Sequence, residues 1–199
     1  MPRFLAVALL SGLLLAPTAS ADTDVYDLVL ARDDCGGTDN LRLDLYPGAS
    51  STGGCGNLVG VLGGVTDTYP AEPSVLPVEL DGTRPISVAV SIGSFLGAGV
   101  GGVGPETVEV ALTGKRAGKN VDLGSASVTT PAEEMLTNVS YVVQIELPLT
   151  AAKSGTYTQL SLDLLVGGSA GSGFVDHNGS SLVSLPVVDG SIPQPEEEF

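Results

Sequence analysis

Apolar and polar residues alternate along most of this chain, the spacing of strands with one covered face. In "LRLDLY", Leu41, Leu43 and Leu45 share a face with Arg42 and Asp44 opposite. "PISVAVSIGSF" puts Ile86, Val88, Val90 and Ile92 on one side and Ser87, Ala89 and Ser91 on the other. "ETVEVALTG" directs Val108, Val110 and Leu112 inward, with Glu106 and Glu109 in flanking positions. "VSYVVQIEL" aligns Val139, Tyr141, Val143, Ile145 and Leu147, and "QLSLDLLV" aligns Leu160, Leu162, Leu164 and Val166. Further strands are expected over 25–31, 58–62, 75–80, 120–129 and 182–188. Turn signals separate them: "GASSTGG", "DGTRP", "TGKRAGK", "GGSAGSG" and "HNGS". The one helical signal is "TPAEEM", where Thr130, Pro131 and Glu133 suit the first turn of a short helix. The pattern predicts an all-β fold, a single antiparallel β-sandwich of about eight to ten strands. Alternation alone does not choose between jelly-roll and immunoglobulin-like connections.

The sharpest local signal is "GFVDHNGSSL", 173–182, which holds the single histidine of the chain. Asn178-Gly179 suits both positive-φ positions of a two-residue hairpin turn. That turn pairs Val175 with Leu182 and Phe174 with Val183, puts Phe174, Val183, Leu185 and Val187 in the core, and leaves His177 on the opposite face beside the turn. One histidine cannot build the multi-histidine sites typical of zinc or copper enzymes. Gly167 to Gly171 matches the G-x-S-x-G pattern around Ser169. That pattern works at a strand-to-helix turn, whereas Ser169 is expected between two strands. Asp176 and His177, adjacent on a strand, would point to opposite faces and could not serve one serine.

The ends of the chain add a location. Arg3, the apolar run Phe4 to Leu15 and Ala19-Ser20-Ala21 make a secretory signal over 1–21, with cleavage after Ala21. The apolar run is too short to span a bilayer, so no membrane insertion is expected after cleavage. Residues 22–189 form the expected sandwich domain. Residues 190–199, with two prolines and three consecutive glutamates, read as a disordered acidic tail. The expected location is secreted, extracellular or periplasmic. Loss of Arg3 with the signal takes the net charge from −15 to −16, which disfavours nucleic acid and anionic membranes as partners. Cys35 and Cys55, the only cysteines, suggest one disulfide in an exported chain.

Candidate chemistry is sparse. "RDDCGGTDN" gathers Asp33, Asp34 and Asp39 at a glycine turn; these oxygens suit calcium, the one cofactor suggested, against the commoner solvated turn. Sugar stacking needs exposed aromatics, and Tyr46, Tyr69 and Tyr157 are the candidates at strand ends or loops. Glycosidases need only two carboxylates, but Asp33, Asp34, Asp39, Asp81, Glu109, Asp122, Glu146 and Asp163 mostly sit beside turns or alternate outward, and spacing alone brings no two together. Asn138 and Asn178 begin glycosylation sequons. These features favour a secreted, non-enzymatic protein with a structural, adhesive or interaction role. The alternatives are a carbohydrate- or cell-wall-binding module and a carboxylate-based hydrolase. Expected partners are an extracellular protein, a polysaccharide, or a second copy through the edge of "VYDLVLA", 25–31.

Overall fold

The computed structural model describes residues 23–32, 41–45, 65–94, 106–129, 140–168, 173–175, 177 and 179–189. Among them are twelve strands, joined into two antiparallel sheets. They are β1 (Thr23–Arg32), β2 (Leu41–Asp44), β3 (Val65–Pro70), β4 (Val78–Leu80), β5 (Ile86–Ser94), β6 (Glu106–Arg116), β7 (Lys119–Thr129), β8 (Ser140–Leu147), β9 (Gly155–Tyr157), β10 (Gln159–Gly168), β11 (Gly173–Val175) and β12 (Leu182–Val188). The larger sheet has eight strands with a central path β11-β5-β12-β1-β2; β8 adds to β5, β4 to β12, and β9 to β4. The smaller sheet runs β3-β10-β6-β7.

The all-β expectation holds, with more and shorter strands than the alternation suggested. β3 and β9 carry little apolar signal. On β3 an inward position is occupied by Asp67, which is nonetheless buried, so the strand does not alternate in hydropathy. β9 has three residues and begins with glycine. The segment expected over 75–80 splits: Pro73–Val75 form a 3-10 turn, and β4 starts only at Val78. The strand expected over 58–62 and the helix at "TPAEEM" lie outside the described residues.

Each apolar stripe points to one core. Leu28, Leu30, Leu43, Ile86, Val88, Ile145 and Leu185 of the larger sheet join Tyr69, Val108, Leu112, Leu123, Leu162 and Leu164 of the smaller sheet in a single buried cluster. β1 pairs with β12 over Thr23–Val29 on one side and with β2 over Val29–Arg32 on the other.

One expected turn forms a tight hairpin and another expected hairpin does not form. Arg116 pairs with Lys119, and the two residues between them, Ala117 (φ 49°) and Gly118 (φ 77°), both take positive φ. This is the tight hairpin geometry that matches strand twist. The Asn178-Gly179 site is not a hairpin, although Gly179 does take positive φ (96°). β11 and β12 do not pair with each other. Both lie along the same side of β5, Val175 opposite Ile92 and Leu182 opposite Ala89. The chain makes seven steps from Val175 to Leu182 where β5 makes three, so the two collinear strands are joined by more chain than the ladder takes up. Ser181 stitches the connection in place: its Oγ accepts from the Ser91 amide at 3.0 Å, and its carbonyl accepts from the Leu30 amide at 2.9 Å. Ladder bonds to a central strand outweigh a local turn preference because they satisfy more backbone groups in the buried interior.

Candidate functional site

Between β11 and β12, His177 points inward. It is 2% exposed, which corrects its expected place on an outer face beside a turn. Its Nε2 lies 2.9 Å from the hydroxyl of Tyr69, and the two rings stack with centroids 5.9 Å apart. Tyr69 comes from β3 of the smaller sheet, so this hydrogen bond ties one sheet to a loop of the other. Asp67 and Arg32, both buried, complete the polar neighbourhood. Burial pushes the Tyr69 phenol far above its ordinary range; the Asp67 carboxylate adds to this and the Arg32 guanidinium opposes it. A phenol held neutral beside an imidazole inside a core is a structural brace.

Tyr69→Phe should therefore lower the unfolding free energy by about 1–3 kcal/mol, the cost of leaving the buried Nε2 unsatisfied. A double-mutant cycle with His177→Leu, read by urea denaturation, should return coupling of at least about 0.5 kcal/mol. Additive losses would show that the two side chains do not support each other.

The same burial corrects the sugar-stacking candidates. Tyr69 and Tyr157 are both fully covered, because their strands turn them into the core, and neither presents a ring face to a ligand. Tyr46, the acids Asp33, Asp34 and Asp39, and the cysteines Cys35 and Cys55 lie outside the described residues, as do Ser169, Asn138 and Asn178. The strands on either side of Ser169, β10 and β11, are as expected.

What the structure does assemble is the outer face of the smaller sheet. With Val108, Val110 and Leu112 of β6 and Leu160, Leu162 and Leu164 of β10 turned inward, the alternate positions face outward. Ala111 sits opposite Asp163 on one side and Ser125 on the other; Glu109 sits opposite Leu165 and Ser127. β3 adds Thr66 next to Leu165 and Thr68 next to Asp163. Together Thr66, Glu109, Ala111, Ser125, Ser127, Asp163 and Leu165 line an open depression of about 530 Å³. A second depression, about 590 Å³, continues along the same strands and is lined by Thr113, Lys115, Asn120, Asp122, Gln159 and Ser161, among others.

A bulge lies where the two adjoin. Leu112 faces Gly124, but Thr113 faces Asp122, so β7 gains a residue at this point. Gly124 sits at φ 148°, a conformation side chains disfavour. The shift turns Leu123 into the core, where it is fully buried, and puts Asp122 on the outer face with Ser125. Without it the outer face would carry a leucine in mid-trough.

Two carboxylates that spacing could not bring together are neighbours here. Glu109 and Asp163 are diagonal partners on adjacent strands, a relation that sets backbones about 7–8 Å apart. Asp163 is held by Thr68, whose Oγ1 donates to Oδ1 at 2.6 Å. Among the described residues no cluster of three or more His, Cys, Asp or Glu could hold a metal ion. The trough was readable in principle as the outward half of each alternating strand, but which strands lie side by side is a matter of topology.

No family model matches this sequence, and no curated protein matches it. Solved structures do. The structure of infectious bursal disease virus Gt strain shares 14% identity at a TM-score of 0.43, over 96% of this chain and 38% of that one. The Gx strain structure gives 14%, 0.42, 96% and 39%. The crystal structure of the T13 IBDV viral particle gives 16%, 0.45, 96% and 37%. The chain thus spans less than two fifths of each of these chains.

Proposed function

We propose that this protein is an exported, non-catalytic interaction module acting at the cell surface or in the extracellular or periplasmic space. In this reading the two sheets form a β-sandwich of jelly-roll or immunoglobulin-like kind, and a Cys35–Cys55 disulfide closes the connection after β1. The contact face is the outer trough of the smaller sheet. One observation carries the reading: two adjoining open depressions of about 530 and 590 Å³ lie along one sheet face, lined largely by exposed polar side chains with Lys115, Ser161 and Asp163 half-buried among them. Among the described residues the histidine and two of the candidate tyrosines are occupied in the core, which leaves that face as a place where polar side chains gather.

Export predicts a chain beginning at Asp22 and lacking two hydrogens by intact mass, recovered outside the cytoplasm. Contact through the trough predicts that the protein co-sediments with cell envelopes and that Ala111→Leu, which fills the trough floor, releases it. A cytoplasmic chain beginning at Met1, or equal retention of the variant, would overturn the reading.

A second reading has one observation in its favour. Glu109 and Asp163 share a concavity, and a paired-carboxylate hydrolase needs two such groups. It predicts release of reducing ends from a soluble polysaccharide, abolished by Asp163→Asn.

A further inference from the structure

We infer that the trough takes a neutral oligosaccharide lying along β6. The inference rests on the proposal that this face is the protein's contact surface, and it names the chemistry of what is held there.

The argument begins with the length of the trough. From Glu109 to Lys115 the floor runs six steps along one strand, about 20 Å at roughly 3.3 Å per step. An extended polymer of several units fits that length better than a compact small molecule does.

The second point is the kind of group presented. Across the strands, acceptors and donors alternate at ladder spacing. Glu109, Asp163 and Asp122 carry carboxylates, Ser125, Ser127, Thr113 and Ser161 carry hydroxyls, and Asn120 and Gln159 carry amides. Carboxylates accept from adjacent hydroxyl donors, while hydroxyls and amides both donate and accept. A chain of polyols uses all three. Asp163 is already oriented by the Thr68 hydroxyl, so its remaining lone pairs point from a fixed carboxylate and less side-chain entropy is lost on binding.

Third, the lining disfavours other occupants. Three carboxylates face one ammonium, Lys115, so an anionic polymer meets repulsion. Protein interfaces centre on aromatic and large aliphatic anchors; the lining holds no aromatic ring, Pro70 and Val121 sit at the far depression, and the outward row offers Leu165 and Ala111. These two provide the modest apolar floor against which the C–H face of a sugar ring can lie.

The test uses the purified full chain with cellohexaose, xylohexaose, laminarihexaose and maltohexaose as probes, read by calorimetry and by amide chemical shifts. Saturable binding of at least one is expected, little changed by added salt. Asp163→Asn and Glu109→Gln should each weaken it roughly tenfold, the loss expected for a hydrogen bond to a charged group. Ala111→Leu should abolish it, with unchanged far-ultraviolet circular dichroism showing that each variant folds. No binding of any probe, or binding untouched by all three substitutions, overturns the inference. If envelopes retain the protein through the trough but protease treatment of the envelopes ends that retention, the occupant is a protein: the contact-face reading stands and the oligosaccharide falls. If envelope retention ignores Ala111→Leu, the contact-face reading itself fails.

Discussion

Replacing Tyr157 by alanine should lower the unfolding free energy by about 3–5 kcal/mol, the range for deleting a buried aromatic ring. Tyr157 ends β9 in the larger sheet, paired with Val78 of β4. Its ring is fully buried and lies on Gly114 of β6, in the smaller sheet. A Cβ built on Gly114 would stand 2.6 Å from the ring's Cδ1, so the glycine is the space the ring occupies. The hydroxyl donates to the Lys153 carbonyl at 2.7 Å. The Arg116 guanidinium lies 5.9 Å from the ring centre, and its two terminal nitrogens donate to the carbonyls of Ser154 and Ala152. One side chain thus joins two sheets and the turn over 151–153. Urea denaturation followed by circular dichroism checks the size of the effect, and a loss below about 1 kcal/mol would mean the ring is not packed as described. A companion measurement isolates the contact. Gly114→Ala should destabilise the native chain through overpacking, by about 1–3 kcal/mol, and should cost clearly less when Tyr157 is already alanine.

The second large effect is a loss of stability in alkali. Tyr69 has its phenol raised from an ordinary 10.0, with burial the main cause. In the unfolded chain it loses its proton near pH 10; in the native protein it keeps it well beyond. Above that pH the unfolded state binds fewer protons than the native state, so stability falls as pH rises. The contribution is fully present below about pH 10 and declines by about 1.4 kcal/mol per pH unit above it. Tyr26 and Tyr157 shift in the same direction, again chiefly through burial, and steepen the decline. Urea midpoints across this range should fall progressively, while native tyrosinate absorbance lags behind that of the unfolded chain. Tyr69→Phe removes one titrating group and should flatten the slope by up to about 1.4 kcal/mol per pH unit. A midpoint indifferent to pH above 10, or an unchanged slope in Tyr69→Phe, would contradict the burial of the neutral phenol.

Both effects depend on residues whose roles the sequence did not announce. Tyr69 and Tyr157 stand at strand ends where an exposed ring is a reasonable expectation, and Tyr69 lies in a strand whose inward aspartate masks the alternation. His177 shows the limit more sharply. Its neighbours Asn178 and Gly179 carry a strong hairpin signal, and the positive φ at Gly179 was correctly foreseen. The signal concerns two residues, however, and β5 offers a long partner to the segments on both sides. Where local turn chemistry and a central strand compete, the ladder and the buried core carry more free energy.

By itself the sequence determined the all-β class, the inward stripes of β5, β6, β8, β10 and β12, and the turns at "DGTRP" and "TGKRAGK". These follow from periodicity and from the backbone freedom of single residues, which act over a few positions. Tertiary structure alone decided that β11 and β12 share one side of β5, that His177 meets Tyr69 between the sheets, and that Glu109 and Asp163 stand together in a trough. The reason is physical. Period-two alternation says which way a side chain points, and nothing in it says which strand lies beside it. Neighbours across a sheet are set by the burial of the whole core, to which every strand contributes at once.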